Sequence, residues 1–499
     1  MSAAVVAPVG VASSAVVASQ TRVLGGEAKR AAARQSLEEK RAIAMKLAEE
    51  RALAARDGWR MAVDESQSDA EDMGAMERRL AQGGRELQRA ELERAMQKKA
   101  GRIPPRCPVC GSVVSAPQLR ETTILSRFGP VTFSRLYGRC PKCEVYVAPA
   151  DHVLGVAGEG KNSPEMSEQL RLLGMVAVPG QAERLSEKFL GFRVDDSRIG
   201  REIERAEREA IEARARDDEQ ALSTEGRWEV TREIRKDLPA EDFVMVIEAD
   251  AFKTRERDQW GQTEPLREAG TPPERWHDSK VGTIFLLPDR VRCGHKRARP
   301  TILRRSYVAT RQGPYEFSQM LYAQAVRQGL LDAKVVLFIA DGGVWLWKIK
   351  DERFADAVGS LDHYHADQHL WAVARARFKD EKQAEQWVRP LIHQLRHGGE
   401  AGVLNDLEQL AVVVEQIAPD ERDVDEKTIL REWEYFNRHR DHIHYEANAA
   451  KGYPIGSGCI ESTCKQYQLR VKRSGQFWNK SNLEGMLCLY GRYLMNLWN

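Results

Sequence analysis

Two stretches of the chain are apolar without interruption. Val244-Met245-Val246-Ile247 leads into Glu248-Ala249-Asp250, and Val335-Val336-Leu337-Phe338-Ile339-Ala340 leads into Asp341. Unbroken runs of β-branched and aromatic residues predict strands covered on both faces, unlike the alternation of a half-exposed strand. Residues 280–288 and 301–310 are two further β-rich runs, 315–329 has helical spacing, and 358–364 offers a fifth strand. Residues 383–395, 400–416 and 425–436 carry apolar residues at helical spacing, separated by Gly398-Gly399 and Pro419. They predict a helical insertion at about 380–447 in which nothing looks chemical. A last helix, 483–498, gathers Leu483, Met486, Leu487, Tyr490, Leu494 and Leu497 on one face and reads as core.

Three adjacent strands, a helix and a further parallel strand predict an α/β domain over residues 236–499. Its order is that of a ribonuclease-H-like mixed sheet. Asp250 then ends the first strand and Asp341 the fourth, as neighbours at the middle of the sheet. Residues 26–100 are dominated by Ala, Arg, Glu, Leu and Gln, strong helix formers. Gly58, residues 66–72 and Gly83-Gly84 are expected to break them into two or three helices. A solvated arm is the plainer reading of this region, beside subunit or DNA contact. Residues 161–235 predict three helices, with Pro164 in a first turn, Gly180 as separator and Asp195-Asp196-Ser197 as a cap. This is compatible with a helix-turn-helix DNA reader. Arg198, Arg201, Arg205 and Arg208 mixed with Glu202, Glu204, Glu207 and Glu209 suit a solvated helix equally well. Residues 1–25 predict a disordered tail: no basic residue precedes the apolar part, which is too diluted for a signal peptide or a membrane span.

Composition adds constraints. At 499 residues the chain should hold several domains, and 42% apolar with 30% charged residues describes a globular protein with much exposed helix. Seventy-six basic against 74 acidic residues give a net charge of +2, so nucleic-acid binding must rest on local patches. Eight cysteines, four of them in two CxxC pairs, suit a reducing compartment and metal binding better than a disulfide scaffold.

Cys107-Pro-Val-Cys110 and Cys140-Pro-Lys-Cys143 have 29 residues between them, with Phe128-Gly129-Pro130 at the turn of an intervening hairpin. Four thiolates in two such pairs close a tetrahedral structural Zn²⁺ site, so residues 101–160 predict a zinc ribbon, with an iron–sulfur cluster as the alternative.

An Asp at the end of each buried strand is costly unless something such as a metal ion neutralises it. Gly456-Ser457-Gly458-Cys459-Ile460-Glu461 opens a helix and places a third carboxylate in its first turn, where the helix dipole favours the charged form. Asp250, Asp341 and Glu461 therefore form a candidate catalytic triad holding Mg²⁺, with Mn²⁺ able to substitute. Asp362 and His365, in Leu361-Asp362-His363-Tyr364-His365, are auxiliary candidates, and Asp362 is the rival to Asp341 as second acid. His369 shares a helical face with His365. Two basic stretches are candidate phosphate contacts. Arg297, Arg299, Arg304 and Arg305 lie between the first two acids. Lys465, Arg470, Lys472, Arg473 and Lys480 follow Glu461, interleaved with Tyr467, Phe477 and Trp478. The plain alternative is a solvated face over a core that takes the aromatics.

Residues 247–250, 338–343, 361–371 and 452–478, above all GSGCIESTCKQ and RVKRSGQFW between Gly456 and Trp478, resemble the insertion-sequence transposases of the ISKra type. This is a bacterial DDE family related to Mutator-like elements. The match reaches back through the CxxC pairs to about residue 75. The resemblance implies a ribonuclease-H-like catalytic domain with Asp250, Asp341 and Glu461 as its triad and a helical insertion before the Glu. It implies metal-dependent cleavage of element ends and transfer of the 3′-hydroxyl into target DNA, by at least a dimer on DNA in the bacterial cytoplasm, without a membrane. A related nuclease that does not join strands, or a non-cleaving DNA-binding derivative, are the alternatives.

Overall fold

The computed structural model describes residues 26–66, 72–158, 160–271, 274–292, 300–474 and 476–497. The expected tail and Arg297 and Arg299 lie outside them. The chain divides into two compact units, Met1–Glu202 and Ile203–Asn499, so the division falls within a helix. Among the described residues, no helix is long and apolar enough to cross a membrane.

The first unit begins with helices α1 (Gly26–Glu65) and α2 (Met73–Arg102). The glycines expected to break them do not. Gly83 and Gly84 lie inside α2 and receive the Trp59 ring of α1, where an added Cβ would come within 3.3 Å of that ring. Asp72 caps α2 by accepting from the Ala75 N–H at 2.7 Å. The hairpin β1 (Ser115–Ser126) and β2 (Gly129–Arg139) turns where expected, and β3 (Tyr146–Val147) pairs with the end of β2. Glu93 and Gln97 of α2 accept from the Thr132 and Ser134 N–H groups at 3.0 and 2.8 Å, covering a part of β2 that β3 does not reach. Then come α3 (Pro149–Val153), α4 (Pro164–Val176), α5 (Pro179–Leu190) and the start of α6 (Asp196–Leu222). Met166, Leu170, Ala182, Val194 and Ile199 form their core. Arg198 is occupied in holding Asn162 Oδ1 and the carbonyls of Gly160 and Lys161.

In the second unit α7 (Thr224–Ile234) precedes the central strand β4 (Val244–Arg255). After α8 (Thr263–Glu268) come β5 (Trp276–Leu286), a two-stranded ribbon of β6 (Arg290–Val291) and β7 (Thr301–Ile302), and β8 (Ser306–Thr310). Helix α9 (Pro314–Val326), β9 (Val335–Ala340), α10 (Val344–Arg353), β10 (Val358–Leu361) and α11 (His363–Arg377) follow. The expected insertion is α12 (Glu381–Arg396), α13 (Glu400–Glu415), α14 (Val424–Arg438) and α15 (Tyr445–Ala450). Helices α16 (Gly458–Val471) and α17 (Lys480–Leu494) close the unit.

The five-stranded sheet has the order β10-β9-β4-β5-β8. β5 is antiparallel to both β4 and β8, while β9 is parallel to β4 and to β10. One sheet face buries Met245, Ile247, Phe338 and Ala340 against residues of α9 to α15, such as Phe317, Leu346, Leu370 and Phe436. The other buries Val246, Phe285, Leu337 and Ile339, with Cys459 of α16 packed on them. β4 runs past Asp250, because Phe252 and Thr254 are buried in alternation with exposed Lys253 and Arg255. The 301–310 run is split into β7 and β8, and the fifth strand stops at Leu361.

Candidate functional site

The parallel register of β4 and β9 ends at Glu248 opposite Ile339, and two more residues along each chain bring Asp250 level with Asp341. The sheet opens there: β4 continues with β5 alone, and the chain after β9 turns into α10. Asp341 Oδ1 accepts from the Gly343 N–H at 2.9 Å, and its carbonyl accepts from Trp347 Nε1 at 2.8 Å, which fixes the turn. Asp250 Oδ1 accepts from the Ala251 N–H at 2.6 Å, and its Oδ2 lies 3.8 Å from the Cys464 thiol of α16. Burial raises the Asp250 pKa, and the Asp341 charge raises it further. Glu461 sits in the first turn of α16, one turn before Cys464, with its carboxylate 3.7 Å from Lys465. Asp250 and Asp341 are thus level on neighbouring chain segments, and Glu461 lies one helical turn before the cysteine that meets Asp250.

Two other carboxylates hold α16 in place. Asp362, fully buried at the mouth of α11, accepts from the Ser457 N–H at 3.1 Å, Ser457 Oγ at 2.6 Å, the Tyr364 N–H at 3.1 Å and His365 Nδ1 at 2.6 Å. Burial alone would raise its pKa, but the bonds from His365 and Ser457 outweigh it and hold it down. With four protein donors on its two oxygens, Asp362 is a brace and a poor rival to Asp341 as a metal ligand. Glu248, also fully buried, accepts from the Ile460 N–H at 2.8 Å. Sequence reasoning missed it, although a glutamate inside an apolar strand, two residues before Asp250 and on the same face, was the available signal.

His365 donates through Nδ1 to Asp362. Its hydrogen bond to Asp362, then the charges of Asp362, Asp341 and Asp250, raise its pKa. His369 is instead paired with Glu432 of α14 and stacked on Tyr435 at 3.6 Å between centroids. The insertion is therefore not chemically blank. Tyr435 lies against Gly342, where a Cβ would fall 1.9 Å from its ring, and His439 Nε2 donates to the Gly342 carbonyl at 3.3 Å. Burial, then the charges of Asp341, Asp362 and Glu432, push the Tyr435 pKa far up.

The basic strip divides into buried and exposed members. Arg470 is 4% exposed, and it lies on the α16 face shared with Tyr467 and Val471. Burial lowers its pKa to about 10, opposed by the charge of Glu207. Trp478 is 8% exposed and donates through Nε1 to the Val471 carbonyl at 2.8 Å, closing the end of α16. Both are packing residues, a correction to their expected contact with DNA. Lys472, Lys480 and Lys465 remain exposed and Arg473 half-exposed, as an open cationic edge after Glu461. Arg304 pairs with Asp289 at 3.1 Å, and half-buried Arg305 donates to Cys459 Sγ at 3.5 Å.

In the first unit Cys107, Cys110, Cys140 and Cys143 bring all four sulfurs within 4.8 Å of one another. The Cys107–Cys143 and Cys110–Cys140 sulfur separations are 4.0 and 3.4 Å. Thiolates about 2.3 Å from one tetrahedral ion stand roughly 3.8 Å apart, so the cluster fits a metal such as zinc. Each CxxC forms the same turn. Gly111 and Glu144, at φ 73° and 59°, donate back to the carbonyls of Cys107 and Cys140 at 2.9 Å. Among the described residues this is the one cluster so tight; the carboxylates of Asp250, Asp341 and Glu461 stand farther apart. No protein-family model matches the chain, and no curated protein matches it.

Proposed function

We propose that the chain is a DDE-type DNA transposase with a ribonuclease-H-like catalytic domain. The observation that carries this reading is the register that sets Asp250 beside Asp341 at the opening of the sheet, under the helix bearing Glu461. The strand order, with its first three strands antiparallel and the next two parallel, supports the fold assignment. The raised pKa of Asp250, from burial and from Asp341, marks a site that a bound cation would relieve.

Asp250, Asp341 and Glu461 would hold two Mg²⁺, or Mn²⁺ in their place, through hard oxygen ligands. Ions so held supply a nucleophile at neutral pH and charge at the leaving oxygen. The chain positions the acids: Asp362, Ser457 and Glu248 fix the start of α16, and Gly343 fixes Asp341. Water oxygen would bond to phosphorus at the element end as the P–O3′ bond breaks, leaving a 3′-hydroxyl and a 5′-phosphate. The 3′-hydroxyl oxygen would then bond to a phosphorus of target DNA as that P–O3′ bond breaks, freeing a 3′-hydroxyl on the target strand. Lys465, Lys472 and Lys480, exposed, and Arg473, half-exposed, would meet the flanking phosphates, which carry no sequence information. Zn²⁺ on the four cysteines would be structural. A homo-oligomer, at least a dimer on DNA, completes the reading.

The test is cleavage of a supercoiled plasmid carrying the DNA that flanks the coding sequence, with Mg²⁺ present. Asp250→Asn, Asp341→Asn and Glu461→Gln should each lower cleavage roughly 100-fold or more while DNA binding persists. Metal-borne charge stabilisation is worth several kcal/mol, and about 1.4 kcal/mol is tenfold in rate. Wild-type cleavage by Asp341→Asn would sink the reading. Cleavage without joining of pre-cut ends would reduce it to a nuclease.

A further inference from the structure

Beyond Asp250, β4 continues for five residues to Arg255, and its far end frames a small cleft that the acids do not use. The cleft holds about 260 Å³, with Trp260 and Phe477 as its aromatic walls and Arg255, Arg257 and Arg275 around it. Trp260 is 65% exposed and meets the Phe477 ring edge-on, with centroids 4.8 Å apart at 78°. The Arg255 guanidinium lies 5.1 Å over the Phe477 ring. Its carboxylate, Glu256, is buried and already paired with Arg311 and, at 3.7 Å, with His277. The three arginines are exposed, and the Arg275 side chain donates to Thr263 Oγ1 at 2.9 Å.

An exposed indole propped by a second ring is a poor use of apolar surface in a finished core. Ringed by exposed cations, it suits a ligand with a flat π-face and negative charges beside it. We infer that this cleft binds an unpaired nucleotide of the DNA, its base stacked on Trp260 and its flanking phosphates held by Arg257 and Arg275. The inference rests on the DNA-cutting reading and deepens it. Five residues of antiparallel strand span roughly 17 Å, and duplex DNA rises about 3.4 Å per base pair. The end of β4 at the cleft thus lies roughly 17 Å from Asp250, about five duplex steps, and Phe477 belongs to the chain segment that follows Lys472 and Arg473.

Binding of a fluorescein-labelled thymidine oligonucleotide of about 12 nucleotides, within the usual range of single-strand site sizes, tests this beside a duplex of the same length, without metal. Trp260→Ala should weaken the single strand roughly tenfold or more, the loss of one stacked base. Duplex affinity should stay within about twofold, and Trp260→Phe should restore most of the loss. Arg257→Ala with Arg275→Ala should lower the log–log salt slope on the single strand by about 1.4. Unchanged single-strand affinity in Trp260→Ala, beside intact Asp250-dependent plasmid cleavage, overturns the cleft proposal alone. Loss of Asp250-dependent cleavage overturns the reading of the acids instead.

Discussion

Glu248 is fully buried, and burial lifts its pKa from 4.5 to about 8 against the opposing bond from the Ile460 N–H. Between those values the folded chain holds a proton that the unfolded chain releases. The Glu248 contribution is therefore whole below about pH 4.5, declines as pH rises, and is lost above about 8. Glu207, lifted by burial to about 8, and Asp218, lifted by burial to about 7, act with the same sign. Glu248→Gln keeps an acceptor for Ile460 and removes one titration. Its melting temperature should fall less than wild type between pH 5 and 8.5 (a range set by the linkage window), so that the two curves diverge as pH rises. Parallel melting curves would show that Glu248 is ionised throughout.

At the scale of the element, α16 starts where two distant carboxylates meet it. Ser457→Ala deletes the 2.6 Å bond to Asp362 and leaves a buried carboxylate short of a donor. A hydrogen bond to a charged group contributes about 1.5–3 kcal/mol. Urea unfolding of the second unit should lose that much, with bound zinc unchanged, and more Mg²⁺ should be needed for half-maximal cleavage. An unaltered midpoint would remove Ser457 from the brace. The elements themselves were largely legible: apolar runs gave β4 and β9, and apolar spacing gave α12 to α14. The brace was not, because Asp362 and Ser457 are 95 residues apart and Glu248 and Ile460 are 212 apart. Nothing local marks such pairs. Gly83 and Gly84 were misread for the same reason, since the ring they receive belongs to another helix. The burial of Arg470 was within reach: Ile460, Thr463, Tyr467 and Arg470 follow helical spacing on one face.

The whole molecule is two compact units, and one of them leans on its cysteines. Cys107 and Cys140 are themselves core, packed with Val114 and Val147 in a small cluster that a bound metal would reinforce. One zinc per chain should be found by elemental analysis. Stripping it with a chelator, or Cys140→Ser, should raise hydrogen exchange across β1 to β3 and leave the exchange of β4 and β9 as it was. Protection lost equally in both units would mean the metal supports more than the ribbon. The span of the acid site also sets a clock. Asp250 and Glu461 are 211 residues apart, which at about 5–20 residues per second is roughly 10 to 40 s of ribosome time. Until α16 emerges, the face bearing Val246, Leu337 and Ile339 lacks the helix that covers it. A half-made chain therefore carries a sticky sheet and no assembled acid site. Exposed sheet surface of that kind is what chaperones bind, and if the proposed reading holds, any stop or cut between the two acids would yield a nascent product unable to nick DNA.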